Sequence, residues 1–88
     1  MPKYKILLTK TARKQLDKLP DDITVSIIAQ FEQLAINPRH PNNKKLTGRN
    51  AFRLRKGDYR IIYEIRDDIL VVMIIGIGHR KDIYRLLQ

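Results

Sequence analysis

The chain has 88 residues, enough for one domain with a modest core and too few for two. Its hydrophobic fraction of 43%, arranged in alternating segments, argues for a folded protein and against a disordered basic tail. With 18 Lys+Arg against 9 Asp+Glu the net charge is +9, which favours nucleic acid, an anionic surface or an acidic protein as partner. Cysteine is absent, which excludes disulfides, thiolate metal sites and a thiol nucleophile. His40 and His79 lie too far apart to form a local metal motif, so no metal or cofactor is expected. No apolar run approaches the ~20 residues that span a bilayer, and Met1-Pro2-Lys3-Tyr4-Lys5 lacks the apolar region of a signal peptide. A cytoplasmic protein is the expectation, folded as a single domain over residues 1–88.

Lys3 to Leu8 reads as a strand, with Tyr4, Ile6 and Leu8 on one side. Thr9 or Thr11 can cap a helix from about Lys10 to Leu19, where Ala12, Leu16 and Leu19 recur at helical spacing. Pro20 ends it, and Asp21 and Asp22 offer a cap and favourable charge to the next helix. That helix runs to about Ile36 with a stripe of Ile23, Ile27, Ile28, Phe31, Leu34 and Ala35, and Asn37-Pro38 stops it. Residues 39–50 read as a loop carrying Arg39, Lys44, Lys45 and Arg49. Three strands follow, about Ala51 to Lys56, Tyr59 to Arg66 and Ile69 to Ile77, the last two joined at Asp67-Asp68. The order β-α-α-β-β-β predicts an α+β fold, a helical hairpin packed on a small, mostly antiparallel sheet, with a short C-terminal helix or tail.

Gly57-Asp58 is a hairpin loop, since glycine accepts the positive φ of the primed turns. In that register Arg55 faces Arg60, Leu54 faces Ile61, Arg53 faces Ile62 and Phe52 faces Tyr63. Opposed residues share a face, so Phe52, Leu54, Ile61 and Tyr63 form an apolar face while Arg53, Arg55 and Arg60 gather on the other. Like charges opposed on a sheet are destabilising unless an anion neutralises them, and a solvated basic face is the plain alternative. On the next strand Tyr63 is expected opposite Val72, Ile65 opposite Leu70 and Ile61 opposite Ile74. Leu70, Val72 and Ile74 then join the helix-covered face, and Val71, Met73 and Ile75 form an apolar strip on the arginine side, to be covered by a terminal segment or a partner.

These elements carry Leu46-Thr47-Gly48, Phe52-Arg53-Leu54-Arg55, Asp58-Tyr59-Arg60-Ile61-Ile62-Tyr63 and Ile77-Gly78-His79-Arg80-Lys81-Asp82-Ile83-Tyr84. Over essentially its whole length the chain resembles the RelE/ParE toxin superfamily. The resemblance implies the toxin of a type II toxin–antitoxin pair, held in a hetero-oligomer with a small antitoxin. Its RelE branch implies a ribosome-dependent, metal-independent endoribonuclease that cuts mRNA in the decoding site. Its ParE branch implies a gyrase inhibitor without nuclease activity, and an inactive RNA-binding relative is the third reading. By resemblance Arg60 holds the scissile phosphate, Arg53 and Arg55 are the basic residues of the preceding strand, Arg80 follows the last strand, and Tyr84 is the C-terminal tyrosine, suited to stacking on a displaced base. Arginine is a poor proton donor, with a pKa above ~12, so His79, of a type that titrates near 6.5, is the candidate general acid. The glutamate that YoeB-like relatives use before the second strand is missing from Lys45-Leu46-Thr47. Lys44, Lys45 and Arg49 are read as phosphate contacts or solvated surface.

Overall fold

The computed structural model describes residues 3–48 and 50–83. Arg49 and Tyr84, both singled out by the sequence, lie outside the described residues, as does the expected C-terminal helix or tail. Helix α1 (Lys10–Asp17) is capped by Thr9, whose hydroxyl accepts the Ala12 N–H at 3.1 Å. Helix α2 (Asp21–Ile36) starts differently from expectation. Pro20 occupies the N-cap without a side-chain bond, and Asp21 and Asp22 sit in the first turn, where they complement the helix dipole.

Both helices pack on one face of a five-stranded sheet ordered β1-β5-β4-β3-β2. Strand β1 (Lys5–Leu8) lies parallel to β5 (Val71–His79), and β4 (Tyr59–Arg66), β3 (Phe52–Lys56) and β2 (Lys44–Lys45) continue antiparallel. The two-residue β2 arises inside the segment read as loop. Because β1 ends opposite Ile74, the rest of the β5 edge is closed by α1, where Gln15 Oε1 accepts the Ile77 N–H at 2.7 Å.

The β3–β4 hairpin has the expected register, Arg55 opposite Arg60 and Leu54 opposite Ile61. Gly57, at φ 57°, alone supplies the positive φ of its loop, the pattern of a type II′ turn. The β4–β5 register differs by two residues at its start. Leu70 takes φ 53° and remains in the connection, exposed and outside the core, so Ile65 faces Val72 and Tyr63 faces Ile74. A bulge then shifts the pairing, Ile62 facing Gly76 and Ile61 facing Ile77, which brings Ile77 into the helix-covered core. Within α2, Ile27, Phe31, Leu34 and Ala35 are buried while Ile28 is exposed.

The opposite face carries the expected apolar strip, partly covered by the segment after β5, one of the two covers expected. Val71 is buried, Met73 and Ile75 are half-buried, and Ala51, Ile62 and Ile83 form a second small core. A Cβ on Gly76 would sit 3.3 Å from Ile83 Cδ1, so the segment after β5 packs closely over the bare glycine.

At the far end of the sheet Asp67 clasps three elements. Its carboxylate accepts the Tyr4 hydroxyl at 2.7 Å and both Arg39 Nη groups at 2.9 and 2.7 Å. The hydrogen bonds from Arg39 and then Tyr4 hold the carboxyl well below the usual carboxylate range. A depressed folded pKa contributes stability that is present above the unfolded value of about 3.9 and is lost as pH falls toward the folded one. Asp67→Asn should therefore lower the thermal midpoint at pH 7, and the gap from wild type should close on acidification below about pH 4. A gap constant from pH 7 to pH 3 would show that the clasp contributes nothing through its charge.

Candidate nucleic-acid interface

The period of two in Phe52-Arg53-Leu54-Arg55 sends its leucine to the helices and its arginines to the other side of the sheet. On that side one row runs Lys44, Arg53, Ile62, Gly76 across β2, β3, β4 and β5. The next row runs Arg55, Arg60, Gly78. Lys44, Arg53, Arg55 and Arg60 thus occupy adjacent register positions around the small core of Ile62 and Ile83. Lys44 and Arg55 are exposed, and Arg53 is half-buried.

Arg60, unlike Lys44 and Arg55, is buried. It is 8% exposed, and its Nη1 donates to Gly57 O at 2.9 Å and Tyr59 O at 3.0 Å. Charge-assisted bonds to the turn carbonyls offset the proximity of Arg55 and fix the guanidinium plane. Its Nε and Nη2 have no partner among the described residues. The side chain therefore ties down its own hairpin as well as adding charge to the face.

Arg80 stands one residue beyond β5. Its backbone N–H donates to Asp58 O at 2.7 Å, and its exposed Nε lies 3.8 Å from Asp58 Oδ1. Asp58, read from the sequence only as a turn residue, therefore helps to place Arg80 beside the hairpin. A carboxylate in a loop next to a segment of like exposure leaves no sequence signal for such a pairing.

His79 is not with the arginines. It is the cross-strand partner of Tyr59, with ring centroids 5.7 Å apart and planes at 81°, whereas Arg60 pairs with Gly78. Neighbours along a strand alternate faces, so His79 and Arg60 point to opposite sides of the sheet. The His79 Nδ1 accepts the Lys81 N–H at 3.2 Å, which leaves Nε2 as the ring nitrogen that carries hydrogen. Lys45 likewise pairs with Phe52 on the helix-side register, while its neighbour Lys44 joins the arginines.

Glu64, an acidic residue on the arginine side, is four residues from Arg60, roughly 13 Å along the strand, and is held by Arg66 at 2.9 Å. The face thus offers cations that can grip phosphate and stabilise charge. Arg60 is bonded, among the described residues, only to backbone carbonyls, and the nearest carboxylate in sequence, Asp58, lies against Arg80. Among the described residues no group of His, Cys, Asp and Glu suited to a metal ion occurs and no helix is long and apolar enough to cross a membrane.

Residues 6–84 match the family model described as the ParE toxin of type II toxin–antitoxin system, parDE. Toxin RelG of Mycobacterium tuberculosis (strain ATCC 25618 / H37Rv) is 37% identical over 86 residues, covering 93% of this chain and 97% of the relative. Toxin RelE of the same strain is 34% identical over 87 residues, covering 94% and 88%. Among solved structures, a chain of the toxin–antitoxin complex RelBE2 from Mycobacterium tuberculosis superposes with a TM-score of 0.80 at 33% identity, covering 89% of this chain and 99% of its own.

Proposed function

The chain belongs to the ParE toxin family of type II toxin–antitoxin systems, and from that premise we propose that this toxin is a ribosome-dependent endoribonuclease acting on mRNA in the decoding site. The observation that carries this reading is the set of Lys44, Arg53, Arg55 and Arg60 on one sheet face, with Arg80 at its end. RNA cleavage without a metal needs the 2′-hydroxyl aligned for in-line attack, charge stabilised on the phosphorane, and a proton delivered to the leaving 5′-oxygen. Arg60, anchored through Nη1, keeps Nε and Nη2 for two phosphate oxygens. Arg55 opposite it and Arg80 beside the loop add charge stabilisation, and Arg53 and Lys44 hold the flanking backbone. Tyr84, directly after Ile83, is proposed to stack on a displaced base, and Lys45 and Arg49 to contact phosphate at the periphery.

His79 is a weaker candidate acid than its residue type suggests, because it lies on the Tyr59 side. Among the described residues no acidic or imidazole side chain is bonded to Arg60, and the ribosome is proposed to complete the site. Primer extension on one mRNA in a translating extract should show cuts that vanish when the same RNA is offered without ribosomes. Equal cutting of naked RNA would make the chain a self-sufficient ribonuclease.

A cytoplasmic location follows from this target, and a small cognate antitoxin is the proposed partner. The RelBE2 relative crystallised as a toxin–antitoxin complex, and a net charge of +9 favours an acidic toxin-binding segment that folds as it docks. The ParE reading, inhibition of gyrase without RNA cleavage, has the family description in its favour. It gives no chemical role to a buried arginine held at the centre of a cationic face.

A further inference from the structure

Strand β2 stops at Lys44, so Leu54, Arg55 and Lys56 of β3 lie along an open sheet edge. Between that edge, α2 and the 37–43 loop is a cleft of about 210 Å³. Its floor is apolar, made by the buried side chains of Leu34 and Leu54. Its walls are neutral and polar, with Gln33, Asn37, Asn42 and Asn43 beside His40. Arg55 also lines it, and the same Arg55 is the cross-strand neighbour of Arg60 on the cationic face.

Several of these polar groups are preset by bonds to one another or to the surrounding loop. The Tyr63 hydroxyl donates to Pro38 O at 2.6 Å, so it can only accept from Asn43 Nδ2, at 2.9 Å. Asn43 Oδ1 is left as an acceptor. The Asn42 N–H donates to His40 Nδ1 at 3.1 Å, which leaves the His40 Nε2–H as a donor. The Arg39 N–H donates to Asn37 Oδ1 at 3.2 Å, leaving the Asn37 amide NH₂. Fixed donors and acceptors above an apolar floor suit a flat heteroaromatic ring whose edge carries both kinds of group. A phosphate or carboxylate would find one cation there, and among the described lining residues none is acidic to repel a polyanion passing at the rim.

We propose that this cleft binds one nucleobase of single-stranded RNA whose backbone runs over Arg55 onto the cationic face, giving the toxin a base preference. The inference rests on the RNA-cutting reading, but the two fail separately, since base binding is read without ribosomes and cutting only with them. The test is NMR titration of the ¹⁵N-labelled chain with short single-stranded oligoribonucleotides of A, C or U. Side-chain amides of Gln33, Asn42 and Asn43 should shift, and the three RNAs should bind in a definite order. Gln33→Ala, at an exposed helix position that tolerates truncation, should shrink that order by about tenfold. Asn42→Asp should weaken all three by setting a carboxylate against the RNA, and Arg53→Ala should weaken all three alike without changing their order. Shifts confined to the arginine face, no shift at the cleft with any RNA, or an unchanged order in Gln33→Ala would each overturn the proposal, whatever the ribosomal assay shows.

Discussion

Arg60→Ala should cut mRNA on ribosomes about 100- to 1000-fold more slowly than wild type in single-turnover assays, the usual result of removing one preorganised donor to a developing oxyanion. Only interactions that strengthen in the transition state raise the rate, so the loss should fall on the chemical step more than on binding. The geometry argues for preorganisation. Arg60 is buried, and its Nη1 is fixed on Gly57 O and Tyr59 O before any substrate arrives. Arg60→Lys should recover little, because an ammonium can neither keep both turn bonds nor offer a planar fork. The same bonds mean that Arg60→Ala also loosens the hairpin, by about 1–3 kcal/mol for lost charge-assisted bonds. Circular dichroism at the assay temperature separates that effect from chemistry. A folded Arg60→Ala protein that cuts at the wild-type rate would take Arg60 out of the mechanism.

Tyr63→Ala should cost about 3–5 kcal/mol, a large share of the stability of a domain this size. Tyr63 is fully buried, stacks on Phe52 with centroids 5.7 Å apart, and ties Pro38 and Asn43 to the sheet through its hydroxyl. Burial pushes that phenol up to about 12, so it stays neutral, as its bond to Pro38 O requires. Tyr63→Phe keeps the ring but strands the Pro38 carbonyl and the Asn43 amide, at about 1–3 kcal/mol. Urea unfolding should rank wild type above Tyr63→Phe and both above Tyr63→Ala. If Tyr63→Phe matches wild type, the hydroxyl does not hold the loop.

The parts of the fold legible in the sequence are those fixed by local chemistry. Gly57-Asp58 sets the hairpin register, and with it the Arg55–Arg60 pairing, because few other residues accept the loop's φ. Thr9 signals its helix in the same way. The β4–β5 pairing was less readable. Asp67-Asp68 looks like a complete loop, yet Leu70 takes a left-handed conformation that its sequence does not advertise. The bulge opposite Ile62 and Tyr63 then reverses which β5 side chains face the helices. That one inserted residue sends His79 to the Tyr59 side and leaves Gly78 beside Arg60. The burial of Arg60 was equally hidden, since its partners are backbone carbonyls, which carry no residue signature.

Mapping RNA 5′ ends across a cell's transcripts, shortly after the toxin is induced without its antitoxin, tests whether the arginine face cuts mRNA on ribosomes. New ends should appear within translated codons in a frame-dependent pattern and should vanish in Arg60→Ala. Growth arrest with transcripts intact, and with gyrase inhibited, would rule out that role for the face.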